Sequence, residues 1–230
     1  MNELFSSSSL FAVALTLGGY ELGCLCQRRL RFPIFNPILI GALIIGCVIT
    51  LMGIPNTAYQ QGCKVFSWLL TPCTVCLAIP LHTQFHRLRR NLPAILAGVV
   101  AGTITSLICV AGLAKLLELD HTLAISLLPK SITTAMGIVV SEMHGGDTAI
   151  TTAAIIITGV LGSICGPGLC RVLHLHHPAA RGTAFGTASH VIGTARVAEY
   201  GEMEEAVGSL SLVVVGILTV IAVPAFIPML

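Results

Sequence analysis

Four stretches of this chain carry no charged side chain at all: the residues between Arg31 and Lys64, then Leu92–Ala114, Thr148–Cys170 and Ala206–Leu230. Each meets the length of about 20 apolar residues that crossing a hydrocarbon core takes. The shorter runs Leu4–Tyr20 and Val65–Leu81 are nearly as long and equally uncharged. Lipid offers no partners to backbone N–H and C=O groups, so only helices and closed barrels span it. Continuous apolar runs suit helices, because barrel strands alternate. The sequence therefore predicts an all-α, polytopic membrane protein, and composition agrees: 55% of the 230 residues are hydrophobic and 10% are charged, against roughly a quarter charged in a soluble domain.

The charges that remain set a topology. The N-terminus, MNELFSSSS, has an acid in place of a basic leader and no small-residue cleavage pattern, so residues 5–26 read as a retained span. Basic residues gather at Gln27–Arg31 and His86–Arg90, and the positive-inside rule places both in the cytoplasm. Two spans between them, roughly 37–54 and 63–82, keep that assignment consistent. The next span, about 93–116, ends at the acids Glu118 and Asp120. If residues 121–143 crossed completely, the span at 147–170 would deliver Arg171, the LHLHH histidines and Arg181 to the outer side. If they dip in and return, those groups stay with the other basic loops. Residues 181–200 are too polar and too rich in Gly, Ala and Thr for a lipid-facing helix. The expectation is about six full spans plus two re-entrant or broken helices in a single transmembrane domain, 1–230. Inverted repeats of about 31–117 and 121–230 are suggested by the shared Pro and Gly of Phe32–Gly41 and Leu128–Gly137.

Irregular backbone at membrane depth survives only inside protein or beside a water-filled cavity, and paired interrupted helices are the pattern of secondary transporters. In the first segment, LLPKSITTAMG, Pro129 lacks an N–H and disfavours helix at Leu128. Lys130 is the single charge between His121 and Ser141. A lysine at mid-bilayer costs about 2.5–3.5 kcal/mol on insertion scales and should face a cavity or a partner. Ser131, Thr133 and Thr134 then open a new helix, whose first N–H groups are unpaired and whose dipole is positive there. A cation beside a helix N-terminus makes an anion site. The alternative is a Lys130 that snorkels to a surface.

The second segment, GTASHVIGTAR, offers Thr187, Ser189, His190, Thr194 and Arg196. Arg196 can hold a carboxylate through two parallel bonds, and His190 titrates in the range that suits proton coupling. Against this, Arg196 is a flank of the span and His190 a packing residue. Cys73 and Cys76 have redox spacing inside an apolar run without a second pair, which favours packing cysteines. His174, His176 and His177 read as a solvated loop in preference to a metal site, and Glu199, Glu202, Glu204 and Glu205 as a solvated acidic patch. Gly98/Gly102 and Gly162/Gly166 have the spacing of close helix packing, within the fold or in a homo-oligomer. No phosphate loop, nucleophile elbow, metalloprotease helix or nucleic-acid patch is present, so no enzyme, cofactor, metal or nucleic-acid partner is expected.

At these residues the chain resembles a known family. Leu128-Pro-Lys-Ser-Ile-Thr-Thr134 and Gly186-Thr-Ala-Ser-His-Val-Ile-Gly-Thr-Ala195, with Arg31-Phe-Pro-Ile-Phe-Asn-Pro37 upstream, are similar to the signatures of the LrgB/CidB family of bacterial inner-membrane proteins, over about residues 28–228. One departure is Ala135, where many members carry proline, and it bears on the local shape of the half-helix. The resemblance implies an antiholin-like protein that modulates murein hydrolase activity and lysis with a small LrgA/CidA-type membrane partner. Related plant chloroplast domains carry glycolate and glycerate, and bacterial relatives are linked to pyruvate movement. Together with the residue reading this leads to an expected function as a secondary transporter of small monocarboxylates. Pro129, Lys130, Ser131, Thr133, Thr134, Thr187, Ser189, His190, Thr194 and Arg196 would form the substrate site. The alternatives are an antiholin-like protein without a substrate of its own and a holin-type pore.

Overall fold

A computed structural model describes residues 9–30, 37–76 and 78–230, and among them every regular element is a helix. The chain divides into two compact units, residues 1–76 and 77–230.

In the first unit α1 (Ser9–Leu30) and α2 (Pro37–Met52) form an antiparallel pair. Small residues set their approach: a Cβ on Gly19 would touch Ile45, one on Gly23 would press on the Pro37 backbone, and one on Gly41 would meet Gly19 and Tyr20. A short α3 (Asn56–Gly62) follows the turn at Gly53, and its Tyr59 hydroxyl lies 2.7 Å from Thr16 Oγ1 of α1. The unit closes with α4 (Lys64–Cys76), which contains Pro72. Residues 31–36 of the upstream motif, and with them half of the proposed repeat alignment at 32–41, lie outside the described residues, as does the Cys73 side chain. Cys76 is exposed.

The second unit holds the two segments of interest. After α5 (Ala78–Thr83), α6 (Phe85–Leu116) runs from an end bearing Arg89 and Arg90 to one bearing Glu118 and Asp120. Next come α7 (His121–Leu127) and α8 (Thr134–Met143), separated by six residues of turn, and then α9 (Thr148–Val172), α10 (Pro178–Ala198) and α11 (Glu202–Phe226). Local chemistry fixes the starts. Asp120 accepts from the Thr122 amide, Asp147 from the Ala149 and Ile150 amides, and His177 Nδ1 from the Ala179 amide with Pro178 behind it. These are N-caps and an N1 proline in their preferred roles.

Residues 121–143 go in and come back. Thr151 at the start of α9 bonds both to Ser126 O near the end of α7 (3.0 Å) and to Ser141 Oγ near the end of α8 (2.7 Å), and the Asp147 amide donates to Ser126 Oγ. Deeper in, a Cβ on Gly137 would lie 3.6 Å from Pro129 O. Residues 126–129 thus run antiparallel to 141–137. α10 folds back in the same way from the opposite end. Its backbone leaves the helical region at Ser189 (φ −132°, ψ 15°) and His190 (φ 42°, ψ −136°). A Cβ on Gly193 would lie 2.7 Å from Phe185 O, whereas eight residues of unbroken helix would separate those positions by about 12 Å. Both segments are re-entrant, as the charge pattern requires. Arg171, His174 and Arg181 consequently share an end with Arg89 and Arg90, where Gln84 donates to Glu202 at 2.9 Å.

Among the described residues four helices are long and apolar enough to cross a membrane, within residues 9–29, 88–116, 148–172 and 202–229. The stretch expected to span at 37–54 forms the 16-residue α2, about 24 Å of rise, and the described residues of the one at 63–82 are helical in α4 and α5. Exposed Val100, Ile104 and Ile108 of α6, Ile157 and Leu161 of α9, and Val213 and Ile217 of α11 make apolar faces that water would not tolerate and lipid does. The chain is an all-helical, multi-pass membrane protein.

Candidate functional site

Buried Ile95, Val99, Leu107 and Val110 of α6 pack with Leu128 and Ile132 of the first re-entrant turn and with Val207, Val215 and Val223 of α11. This core carries the turn at 128–133 on its side. Ser106 of α6 lies ten residues before the helix ends at Leu116, about 15 Å of rise and about half of a 30 Å hydrocarbon core. The Lys130 ammonium is at that level, 3.4 Å from Ser106 Oγ and 3.2 Å from Ser131 Oγ, and the two serine hydroxyls are 3.2 Å apart. Lys130 is partly buried and Ser131 buried. Neither of the ion pairs among the described residues, Arg181–Glu204 and Arg196–Glu199, involves Lys130. Its partners there are neutral oxygens.

The rest of the turn presents a helix start to the same region. Pro129 is fully buried, Thr133 is the N-cap of α8 in extended conformation (φ −65°, ψ 147°) with no side-chain cap bond, and Thr134 is the first helical residue. Both threonines are half-buried. The first-turn N–H groups and the positive dipole end of α8 thus begin three residues after Lys130 in the chain.

Small residues of the scaffold helices receive the second tip. A Cβ on Gly98 would meet the Thr183 methyl at 3.1 Å and one on Gly102 the Thr187 methyl at 2.8 Å; on α9, Gly159 lies against the His190 ring, Gly162 against Ser189 and Gly166 against Phe185. The GxxxG pairs of the sequence thus serve packing inside the fold. His190 Nε2 donates to the Ile155 carbonyl at 2.8 Å, which leaves Nδ1 for another partner, and Thr194 Oγ1 donates to His190 O at 2.9 Å. A positive φ is uncommon for a residue with a bulky side chain, and here the ring bond and the glycine bed hold it. Thr187 Oγ1 is buried with no hydrogen-bond partner among the described residues, and so is the Oγ of Ser211, whose Cβ packs on Gly186. An unsatisfied buried hydroxyl costs roughly 1–3 kcal/mol.

The tips are neighbours. Ile155 presents its δ-methyl to Gly137 behind the first and its carbonyl to His190 in the second. On α6, Thr187 at Gly102 and Lys130 at Ser106 are one turn apart, about 6 Å of rise. Of the expected site residues, Lys130 and Ser131 lie at Ser106, Thr187 at Gly102, Ser189 at Gly162 and His190 at Ile155, while Thr194 packs on Gly208 of α11. Arg196 is elsewhere: it pairs with Glu199 at the end of α10, on the basic face of the unit. Two residues that sequence reasoning missed are Ser106 and Ser211. Ser106 had a signal, since it continues the Gly98/Gly102 spacing of four. The acidic patch also differs from a fully solvated loop: Glu204 is 7% exposed, 4.0 Å from Arg181, because Gly182 and Gly201 make room for it, and Arg181 lies over the Tyr200 ring.

Comparison with known proteins follows the same segments. The model of the LrgB-like family matches residues 16–229. Antiholin-like protein LrgB of Bacillus cereus (strain B4264) is 36% identical over 220 residues, covering 95% of each chain, and the protein of the same name from Bacillus anthracis (strain CDC 684 / NRRL 3495) matches to the same extent. No solved structure is significantly similar. With a family match over nearly its whole length and relatives of this identity, the chain belongs to the LrgB-like family.

Proposed function

We propose that this protein has the antiholin-like role carried by its relatives' name and that it performs it by moving small monocarboxylates, of the glycolate, glycerate or pyruvate kind, across the bacterial inner membrane. One observation supports the carboxylate site above the others: a lysine ammonium, level with a point about 15 Å of helix rise from the end of α6, whose partners among the described residues are two serine hydroxyls and no acid. Hydroxyls position a charge without neutralising it, a charge at this depth calls for a cavity or a partner, and a bound anion is the partner that offsets it. In this reading Lys130 attracts the carboxylate, and Ser131, Thr133 and the first N–H groups of α8 bind its oxygens. Ser189, His190 and Thr194 close the site from the other tip, and relative movement of helix bundles gives alternating access.

An effect on lysis follows indirectly, through the organic acid and proton balance of the cell. The second reading rests on the relatives' name alone: a non-enzymatic membrane component that sets murein hydrolase export with an LrgA/CidA-type partner and transports nothing. Counterflow uptake of radiolabelled glycolate, glycerate and pyruvate into proteoliposomes, with the purified chain alone and with a co-purified LrgA-type subunit, separates the two. Saturable uptake of any of them supports transport. Its absence in both preparations leaves the second reading.

A further inference from the structure

We infer that Ser106, on a scaffold helix outside both re-entrant segments, is the positioning residue that presents the Lys130 ammonium to a bound anion; this rests on the carboxylate-site reading above. A lysine side chain has four rotatable bonds and its ammonium three equivalent donors. To serve as a fixed anion-binding group it needs acceptors that hold it in place without cancelling its charge. Ser106 Oγ and Ser131 Oγ are two such acceptors, at 3.4 and 3.2 Å, and with these two as its hydrogen-bond partners among the described residues one of its three donors remains for a ligand. The serines differ in what they are attached to. Ser131 is the next residue in the turn and moves with Lys130. Ser106 belongs to α6, whose preceding turns at Gly98 and Gly102 seat Thr183 and Thr187 of the second tip. Its 3.2 Å contact with Ser131 Oγ therefore ties the turn, the ammonium and the opposite tip to one rigid face, spaced 98, 102, 106.

This makes Ser106 act through Lys130, and the test uses that dependence. The full-length chain is titrated with glycolate, with glycerate and with pyruvate, and the dissociation constant is read from ligand-dependent thermal stabilisation. Ser106→Ala is expected to weaken binding roughly tenfold, the scale of one hydrogen bond to a charged group. Ser106→Thr, which keeps the oxygen, should bind within about twofold of the parent chain. Lys130→Ala should bind far more weakly than either, and adding Ser106→Ala to it should change nothing further. Unchanged affinity in Ser106→Ala beside a defective Lys130→Ala overturns the role of Ser106 and leaves the anion site standing. Equal weakening in the Ala and Thr variants also overturns it, because a packing defect then accounts for both. Parent-like affinity in Lys130→Ala defeats the carboxylate-site reading itself.

Discussion

His190 donates its Nε2 proton to the carbonyl oxygen of Ile155 across 2.8 Å, and the Ile155 side chain in turn fills the space beside Gly137. One residue of a continuous membrane helix therefore holds the tip of one re-entrant segment by its backbone and the base of the other by its side chain.

The backbone at His190 has φ 42° and ψ −136°, a conformation that glycine adopts freely and that costs other residues on the order of 1–3 kcal/mol. His190→Ala keeps the strain and loses the ring bond, whereas His190→Gly loses the bond and the strain together. His190→Gly should therefore be the more stable of the two by about 1 kcal/mol or more, read as a higher thermal midpoint in detergent. The opposite order would mean that the strain is not real.

Glycines 159 and 162 leave no room for a side chain: a Cβ on the first would lie 2.5 Å from the His190 ring, and one on the second would collide with Ser189. Overpacking of this kind typically costs 1–3 kcal/mol. Gly162→Ala should lower the thermal midpoint and impair any carboxylate response. Gly168→Ala, on the same helix but with open space around it, should leave both near the parent values.

The Thr151 hydroxyl has acceptors at 2.7 Å (Ser141 Oγ), 2.9 Å (Asp147 O) and 3.0 Å (Ser126 O), and it closes the mouth of the first re-entrant segment. Hydrogen bonds inside membrane proteins average about 0.6 kcal/mol and reach about 1.7. A buried, shared hydroxyl belongs at the upper end of that range. Thr151→Val should therefore destabilise by about 1–2 kcal/mol, and Thr151→Ser by much less, in denaturant titrations of the purified protein.

The re-entrant topology has a direct chemical signature. In a cysteine-free background, single cysteines at positions 118 and 145, which flank the first segment, should react with a membrane-impermeant maleimide from the same side. Cysteines at 174 and 202 should react only from the other. Labelling of 118 and 145 from opposite sides would require residues 121–143 to cross completely.

Much of this was legible in the sequence. Charge-free runs marked the long helices, and the position of Arg171 and the LHLHH histidines relative to the basic loops demanded that 121–143 return to the side from which it entered. Pro129 and the polar small residues of 186–196 marked both breaks. Contacts that depend on helix register were not legible. Ser106 continues the Gly98/Gly102 spacing of four, but Thr103 and Thr105 lie beside it in the sequence, and which of these hydroxyls looks inward is decided by packing of Ile95, Val99 and Leu107. Arg196 illustrates the converse. Its proximity in sequence to His190 suggested a shared site, but the half-helix carries it back to the basic end, where Glu199 is its nearest acid. Glu204 could not be read as buried without knowing that Gly182 of α10 packs against it.

In the proposed mechanism the charge of Lys130 is reserved for a small organic anion. This is tested by the thermal midpoint of the purified full-length chain and of its Lys130→Ala variant, each titrated with glycolate, glycerate and pyruvate. Saturable stabilisation of the parent chain by at least one of them is expected, and none in the variant at the same concentrations. No stabilisation of the parent by any of the three, or equal stabilisation of both proteins, would contradict it.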